Sequence, residues 1–258
     1  MKGYDIIGNV AIIKFDRKEK LSEKKKYAMK FLEVNRSVRS IYEKVGKFSG
    51  RLRKQKVRWI AGEKNTKALC RENDCSFLLD ISSCYFSPRL ANERKEIASQ
   101  VKKGESVLVM FGGVAPFAIV IAKLVKAGRI VSIELGRECT KYAKVNVKRN
   151  KVEDRVEVLG GDVRKILPKM SERFNRIVMP RPNLKDSFLD VAFYVIKKSG
   201  IIHYYGFTGF EEGTDELKFL IASEAKKAGR KIKILSVKKA GEVGVRKFRY
   251  RVDFRVLT

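Results

Sequence analysis

The chain is short of the residues that build metal centres and extracellular frameworks. It has one histidine and four cysteines in 258 residues. Cys70, Cys75, Cys84 and Cys139 show no Cys-x-x-Cys spacing. A single histidine cannot complete a cluster with them, so the pattern gives no zinc site and predicts no metal. Reduced thiols are the default, although Cys70 and Cys75 fall in what reads as a strand pair, where a disulfide is conceivable. No apolar run is long enough to span a bilayer. The N-terminus, MKGYDIIGNVAIIKF, lacks the apolar stretch and small-residue cleavage site of a signal peptide. A cytoplasmic location and no membrane partner follow by default. Nothing argues for an interface between copies, which leaves a monomer as the expectation.

Acidic residues are the other scarcity. Asp and Glu number 29 against 58 Lys and Arg, a net charge of +29. Such a chain repels itself, and an obvious compensating partner is a polyanion. A thermophilic lysine bias would raise Glu together with Lys. Here Glu does not keep pace, so nucleic acid is the better reading. The basic residues Arg51, Arg53, Lys54, Lys56 and Arg58 crowd one short run. On an ordinary chain this is a solvated strand face. On one this basic, it is a candidate phosphate-contacting surface, and Arg51 and Arg53 are taken as RNA-binding.

The pattern divides the chain at residue 91. Residues 1–91 read as a small basic α/β domain for RNA binding. A strand is expected over Asp5–Phe15, a Lys-rich helix over Leu21–Val34, and short strands at Ser40–Val45, Val57–Ala61 and Ser76–Asp80. From Asn92 the rhythm becomes strand–helix alternation. Helices are predicted at Asn92–Lys102, Pro116–Lys126, Cys139–Asn150, Ser187–Val195 and Thr214–Ala228. The intervening strands are Ser106–Met110, Arg129–Glu134, Val156–Gly160, Arg176–Met179 and Gly200–Tyr205. That alternation predicts a doubly wound, mostly parallel sheet over residues 92–258. Ile232–Val237 and Lys247–Val256 add an antiparallel pair.

Three successive strand ends carry candidate ligand-binding residues. In Val107–Phe117, VLVMFGGVAPF, small residues follow a strand and precede a helix, where a ligand can approach the backbone. The next strand ends in Glu134, about twenty residues on, where an acid can accept from both ribose hydroxyls of a nucleoside. A third ends in Gly160-Gly161-Asp162, with Asp162 in reach of an adenine amino group. The G-x-G-x-x-G fingerprint of dinucleotide sites is absent: Gly112 and Gly113 are followed by Ala115 and Pro116. S-adenosylmethionine therefore fits better than NAD. Each feature alone would be a tight turn or a surface acid; their coincidence at three strand ends favours a cofactor site.

The residues resemble the archaeal and eukaryotic family of tRNA guanine N1-methyltransferases acting at tRNA position 37, with its wyosine-pathway relatives. Tyr85–Arg94, YFSPRLANER, is similar to that family's signature. IAGEKNT (60–66), the FGGVAPF loop, NKVEDRV (150–156), GDVR (161–164) and IIHYY (201–205) occur in matching order. The resemblance implies a class I Rossmann-like methyltransferase domain using S-adenosylmethionine, with the tRNA anticodon stem-loop as partner. It implies that Tyr85, Phe111, Gly112, Gly113, Val114, Glu134, Leu135, Asp162, Val163 and Pro180 contact cofactor. The target base is assigned to Arg89, Pro180 and Pro182. Methylation at N1 of guanine needs a base and a donor to O6. Ser87-Pro88 reads as a helix start, which makes Arg89 and Glu93 an i, i+4 pair. By pattern this is a surface ion pair; the resemblance implies that Arg89 donates to O6, Glu93 takes the N1 proton and Arg94 assists.

Two positions depart from the family's pattern. Val109 stands where an Asp ends the first strand, and Pro180-Arg181-Pro182 replaces an Asn-Leu-Pro motif. The latter resembles the wyosine-associated branch, whose members methylate guanosine, a tricyclic wyosine precursor (4-demethylwyosine, at C7), or both. The extra N-terminal domain of many members has no counterpart in the sequence. Two rival readings stay open: a wyosine-pathway aminocarboxypropyl transferase, and a non-catalytic RNA-binding module.

Overall fold

The structure is a computed structural model that describes residues 2–46, 55–209, 213–244 and 246–258. The N-terminal part holds β1 (Tyr4–Ile7), β2 (Val10–Ile13), α1 (Leu21–Val34), β3 (Ser40–Lys44) and β4 (Val57–Gly62) in a four-stranded sheet of order β1-β2-β3-β4. The apolar run expected as one strand over 5–15 folds back on itself as β1 and β2. Gly8 sits at φ +57, and a Cβ there would lie 1.9 Å from the Leu69 carbonyl oxygen, so the turn needs glycine. Helix α1 carries the chain from β2 to its parallel neighbour β3. It buries Ala28 and Phe31 against Ile13, Ile41 and Ile60. Its one buried cation, Lys24, bonds Glu43 at 2.6 Å.

A hairpin, β5 (Lys67–Glu72) and β6 (Cys75–Asp80), follows. It is the strand pair expected around Cys70 and Cys75, although bounds could be given from the pattern for the second strand alone, because Arg71 and Glu72 interrupt the apolar alternation of the first. Cys70 pairs with Phe77 and Cys75 with Glu72, so the two cysteines are not opposite each other, and all four are free thiols.

Next come α2 (Ala91–Gln100), β7 (Val107–Met110), α3 (Pro116–Leu124), β8 (Ile130–Glu134), α4 (Arg137–Arg149), β9 (Val156–Gly160) and the short α5 (Val163–Ile166). The chain closes with β10 (Phe174–Met179), α6 (Leu189–Val195), β11 (Ile196–Gly209), α7 (Asp215–Lys227), β12 (Ile232–Gly244) and β13 (Lys247–Val256). The sheet order is β12-β13-β11-β10-β7-β8-β9. Neighbours from β11 to β9 are parallel, and the last two strands are antiparallel. The alternation thus gave the expected doubly wound sheet. All four residues of β7 are fully buried, as a central parallel strand covered on both faces requires. Val109 is among them and belongs to the core under α3.

Helix α4 ties the hairpin to this sheet with two asparagines one turn apart. Asn146 accepts from the Leu78 N–H at 2.7 Å and donates to the Leu78 and Val114 carbonyls at 3.0 and 3.2 Å. Asn150 brackets Ser76 in the same way, accepting at 2.9 Å and donating at 2.8 Å. Both amides are buried and fully used, so they satisfy the free edge of β6 at little cost.

Candidate active site

The carboxyl ends of β7, β8 and β9 open into a cleft of about 1120 Å³, measured out to its mouth. The site lies where sheet order reverses between β7 and β10, the expected place in a doubly wound sheet. After β7, Gly112 approaches β8 so closely that a Cβ would sit 2.1 Å from Ser132 Oγ. Gly113 follows at φ +57. Glu134, ending β8, accepts from the Gly113 N–H at 2.8 Å and the Gly136 N–H at 2.7 Å. Burial pushes its carboxyl above the ordinary range, with those two donors pulling the other way. Asp162 caps α5 by accepting from the Arg164 N–H at 3.0 Å.

Tyr85, Phe111, Gly112, Gly113, Glu134, Leu135, Asp162, Val163, Pro180 and Pro182 all line this cleft. Val114 does not; it is fully buried behind the loop. The donor set suits an adenosine-containing cofactor: a carboxylate at a strand end bonded to the glycine turn, a second carboxylate at the next strand end, and apolar walls. Cys139 also lines the cleft. A hydrogen bond with Cys84 and burial push its thiol far up, which makes it a poor nucleophile.

The far wall is built by the segment after β10. Arg181 is buried, donating to the Tyr204 hydroxyl at 2.8 Å and to the Pro182 and Leu184 carbonyls at 3.0 Å. Arg164 holds the same segment from outside through Asp186 at 2.7 Å and Asp190 at 2.6 Å. Phe188, in the left-handed region at φ 58, stacks edge-on against Phe111 at φ 59, with ring centroids 4.9 Å apart. Two strained aromatics thus fix the spacing between the glycine turn and the proline wall.

The expected Arg89–Glu93 pair needs correction. Arg89 lies in a 3-10 turn, Pro88–Leu90, ahead of α2, and three residues per turn break the i, i+4 phase. Its side chain is 66% exposed and bonds Asp5 at 2.7 Å; it does not line the cleft. Ser87 caps with no side-chain bond; its carbonyl instead accepts from Arg94 at 2.9 Å. Arg94 is buried in an ion pair with Glu72, and its guanidinium lies over the Phe86 ring at 5.0 Å. It joins the signature to the β5–β6 hairpin.

Glu93 turns inward. Its Oε1 accepts from the Tyr205 hydroxyl at 2.9 Å and from Arg251. Tyr205 lines the cleft, and burial followed by the Glu93 charge pushes its phenol well up, so it remains a donor. Arg251 also holds Glu96 at 2.6 Å and Asp253 at 2.9 Å. Burial alone would lower its pKa, and these carboxylates more than reverse that. Behind it, His203 faces Asp253 at 2.7 Å and Arg176 at 2.7 Å. Arginine only donates, so Nε2 accepts and Nδ1–H donates to Asp253. Sequence reasoning singled out none of Tyr205, Arg249 and Arg251. The signal was the RYRVD alternation in β13, charged residues every second position on a strand that pairs on both sides. Arg51 and Arg53 lie outside the described residues.

The TRM5/TYW2 methyltransferase domain matches residues 68–235, and the TYW2 N-terminal domain matches residues 1–66. The chain belongs to the TRM5/TYW2 methyltransferase family. It is 36% identical over 253 residues to the tRNA (guanine(37)-N(1))-methyltransferase Trm5b of Pyrococcus abyssi, covering 98% of this chain and 74% of that one. It is 32% identical over 306 residues to the tRNA (guanine(37)-N(1))/4-demethylwyosine(37)-methyltransferase Taw22 of Nanoarchaeum equitans, covering 98% and 99%. The Pyrococcus abyssi Trm5b crystal structure superposes with a TM-score of 0.89 at 34% identity, covering 99% of this chain and 75% of that one. Methanocaldococcus jannaschii Trm5 in complex with adenosine gives 0.82 at 25% identity, covering 99% and 74%. The expected family, the Rossmann-like fold and an S-adenosylmethionine-dependent enzyme class are thereby established. Among the described residues no helix is long and apolar enough to cross a membrane.

Proposed function

We propose that this protein transfers the methyl group of S-adenosylmethionine to N1 of guanosine at position 37 of tRNA, and that it also accepts the tricyclic wyosine precursor, at C7. The observation that carries the reading is the convergence of the Gly112–Gly113 turn, Glu134 and Asp162 in one cleft with Tyr205, whose hydroxyl bonds the buried Glu93. S-adenosylmethionine supplies an electrophilic methyl group on a sulfonium. Glu134 would hold the ribose hydroxyls, Asp162 the adenine, and the Pro180–Leu184 wall the target base. Glu93 is the proton acceptor. Its Oε1 is occupied by Tyr205 and Arg251, while Oε2 makes no hydrogen bond among the described residues and is the oxygen left to act. The target nucleotide must leave its stack to reach this cleft. Arg89, on the surface, is suited to the RNA backbone rather than to the base.

The wider substrate range rests on Pro180. A proline offers no side-chain amide to the base, and the wall it forms is shaped by Arg181 through backbone carbonyls. The chain is taken to act as a cytoplasmic monomer. Mass spectrometry of nucleosides tests the assignment, using an unmodified tRNA transcript and tRNA carrying the tricycle. One methyl gained on guanosine supports it, and a further gain on the tricycle supports the dual role. An aminocarboxypropyl adduct moves the protein to the rival transferase reading, and no product on either substrate points to an RNA-binding module.

A further inference from the structure

The two oxygens of Glu93 have unequal surroundings. Oε1 accepts from the Tyr205 hydroxyl of β11 and from Arg251 of β13, while Oε2 has no donor among the described residues. Sheet register builds this arrangement. Tyr205 pairs directly with Arg251, so the two side chains leave the sheet on one face, side by side. Glu93 and Glu96, three residues apart on α2, meet them there. Arg251 is committed on every edge: Nε donates to Asp253 at 2.9 Å, one terminal nitrogen to Glu93 and the other to Glu96 at 2.6 Å. A planar guanidinium held at three points cannot turn without breaking one of those bonds. Asp253 is fixed in turn by His203 at 2.7 Å and by the Ser236 hydroxyl at 2.8 Å. A buried ion cluster adds little net stability over an apolar one of the same shape, and this cluster stands directly behind a cleft residue, Tyr205.

We propose that Tyr205 and Arg251 are positioning residues for methyl transfer, fixing Glu93 Oε1 from two strands so that Oε2 is the oxygen held ready for the N1 proton; the role rests on the reaction proposed above. In that step the N1 proton passes to the Glu93 carboxylate and the N1 electron pair forms the bond to the methyl carbon. The carbon–sulfur bond breaks with its electrons left on sulfur. A free glutamate side chain turns about several single bonds, whereas a general base works only within about 2.6–3.2 Å of the atom that gives up the proton. Anchoring one oxygen removes most of that freedom before the base arrives. The ionisable groups bonded to Glu93, or one contact beyond, are Tyr205 from β11, Arg251 and Asp253 from β13, and Glu96 from its own helix. Lys238 and His203 close the network by bonding Glu96 and Asp253.

The test uses Tyr205→Phe, Arg251→Met and Arg251→Lys, each made in the unaltered protein and in Glu93→Gln. Single-turnover rates at saturating tRNA and cofactor are measured across pH, with separate dissociation constants for S-adenosylmethionine and tRNA. Tyr205→Phe should lower the saturated rate about tenfold while both dissociation constants stay within about threefold. Arg251→Met should lower it further, and Arg251→Lys should recover part of that loss. In Glu93→Gln none of the three should slow the reaction again, because no base remains to be misplaced. The loss should also shrink as pH rises toward the range in which guanine N1 ionises unaided, where the base is dispensable. A saturated rate for Tyr205→Phe equal to that of the unaltered protein overturns the proposal. So does a loss of the same size in both backgrounds, one that stays constant across pH, or one confined to either dissociation constant. Tyr205→Phe fills the same space and decides the matter if the Arg251 variants unfold. If the unaltered protein forms no N1-methylguanosine, or Glu93→Gln keeps the full rate, the reaction assignment fails instead.

Discussion

Arg251 donates to the carboxylate of Glu93 from a strand 158 residues further along the chain, and both groups are buried. Removing the cation leaves Glu93 with the Tyr205 hydroxyl as its one donor among the described residues, close to Glu96 and Asp253, which keep Lys238 and His203. Arg251→Met should therefore destabilise the fold by about 3–5 kcal/mol, read from urea unfolding. Glu93→Gln, which removes one of the three negative charges, should cost less. Equal losses for the two variants would mean that the pair contributes packing and little electrostatics.

His203 sets an acid limit on stability. Burial holds its pKa below the ordinary 6.5, with Asp253 pulling upward and Arg176 and Arg251 downward. In the unfolded chain the imidazole protonates as pH falls through about 6.5, while in the fold it protonates only at lower pH. The unfolded state then binds more protons, so stability falls as pH drops below that value. Urea midpoints at about pH 7.5 and 5.5 check this; His203→Gln should flatten the difference. Asp253, held below its ordinary 3.8 in spite of burial, mainly by the His203 bond, adds a loss only at still lower pH. Greater stability in acid would contradict the neutral tautomer.

Glu134→Gln tests the cofactor assignment. S-adenosylmethionine at about a hundred times its dissociation constant should stabilise the unaltered protein by roughly 2.7 kcal/mol. A tenfold loss of affinity in the variant would cut that to about 1.4 kcal/mol at the same concentration. An undiminished thermal shift would move the ribose contact elsewhere.

Pro180→Asn gives the wall a side-chain amide. Methylation of guanosine should rise and methylation of the tricycle should fall, followed by mass spectrometry of both substrates. Unchanged activity on each would remove Pro180 from the account of specificity.

Binding of tRNA should weaken steeply as salt rises from low to physiological, as counterion release demands for a chain of net charge +29. Filter binding over that range supplies the slope, and a flat line would count against a phosphate-contacting surface.

Local pattern was enough for most elements. The strands flanking the cofactor turn, helix α1 and the closing pair were legible because each combines one period with a clear stop: Pro116 opens α3, and Gly160-Gly161 ends β9. Most of the residues that line the cleft were legible for the same reason, since a doubly wound sheet puts its strand ends together whatever the loops do. The Tyr85–Arg94 signature was visible too, but its geometry was not. A 3-10 turn over Pro88–Leu90 sends Arg89 outward to Asp5 and leaves Glu93 facing in.

The sequence by itself determined the fold class, the glycine turn at the mouth of the cleft and the excess of positive charge, because these depend on periodicity, glycine placement and composition. The tertiary structure alone decided which charged groups meet. Glu93, Tyr205, Arg249 and Arg251 come from α2, β11 and β13, and only sheet register brings them together. Burial then separates the two arginines of one strand face: Arg251 is spent on carboxylates, and Arg249 is left without one in the cleft. A charge's partners depend on distance and dielectric in three dimensions, which spacing along the chain does not encode.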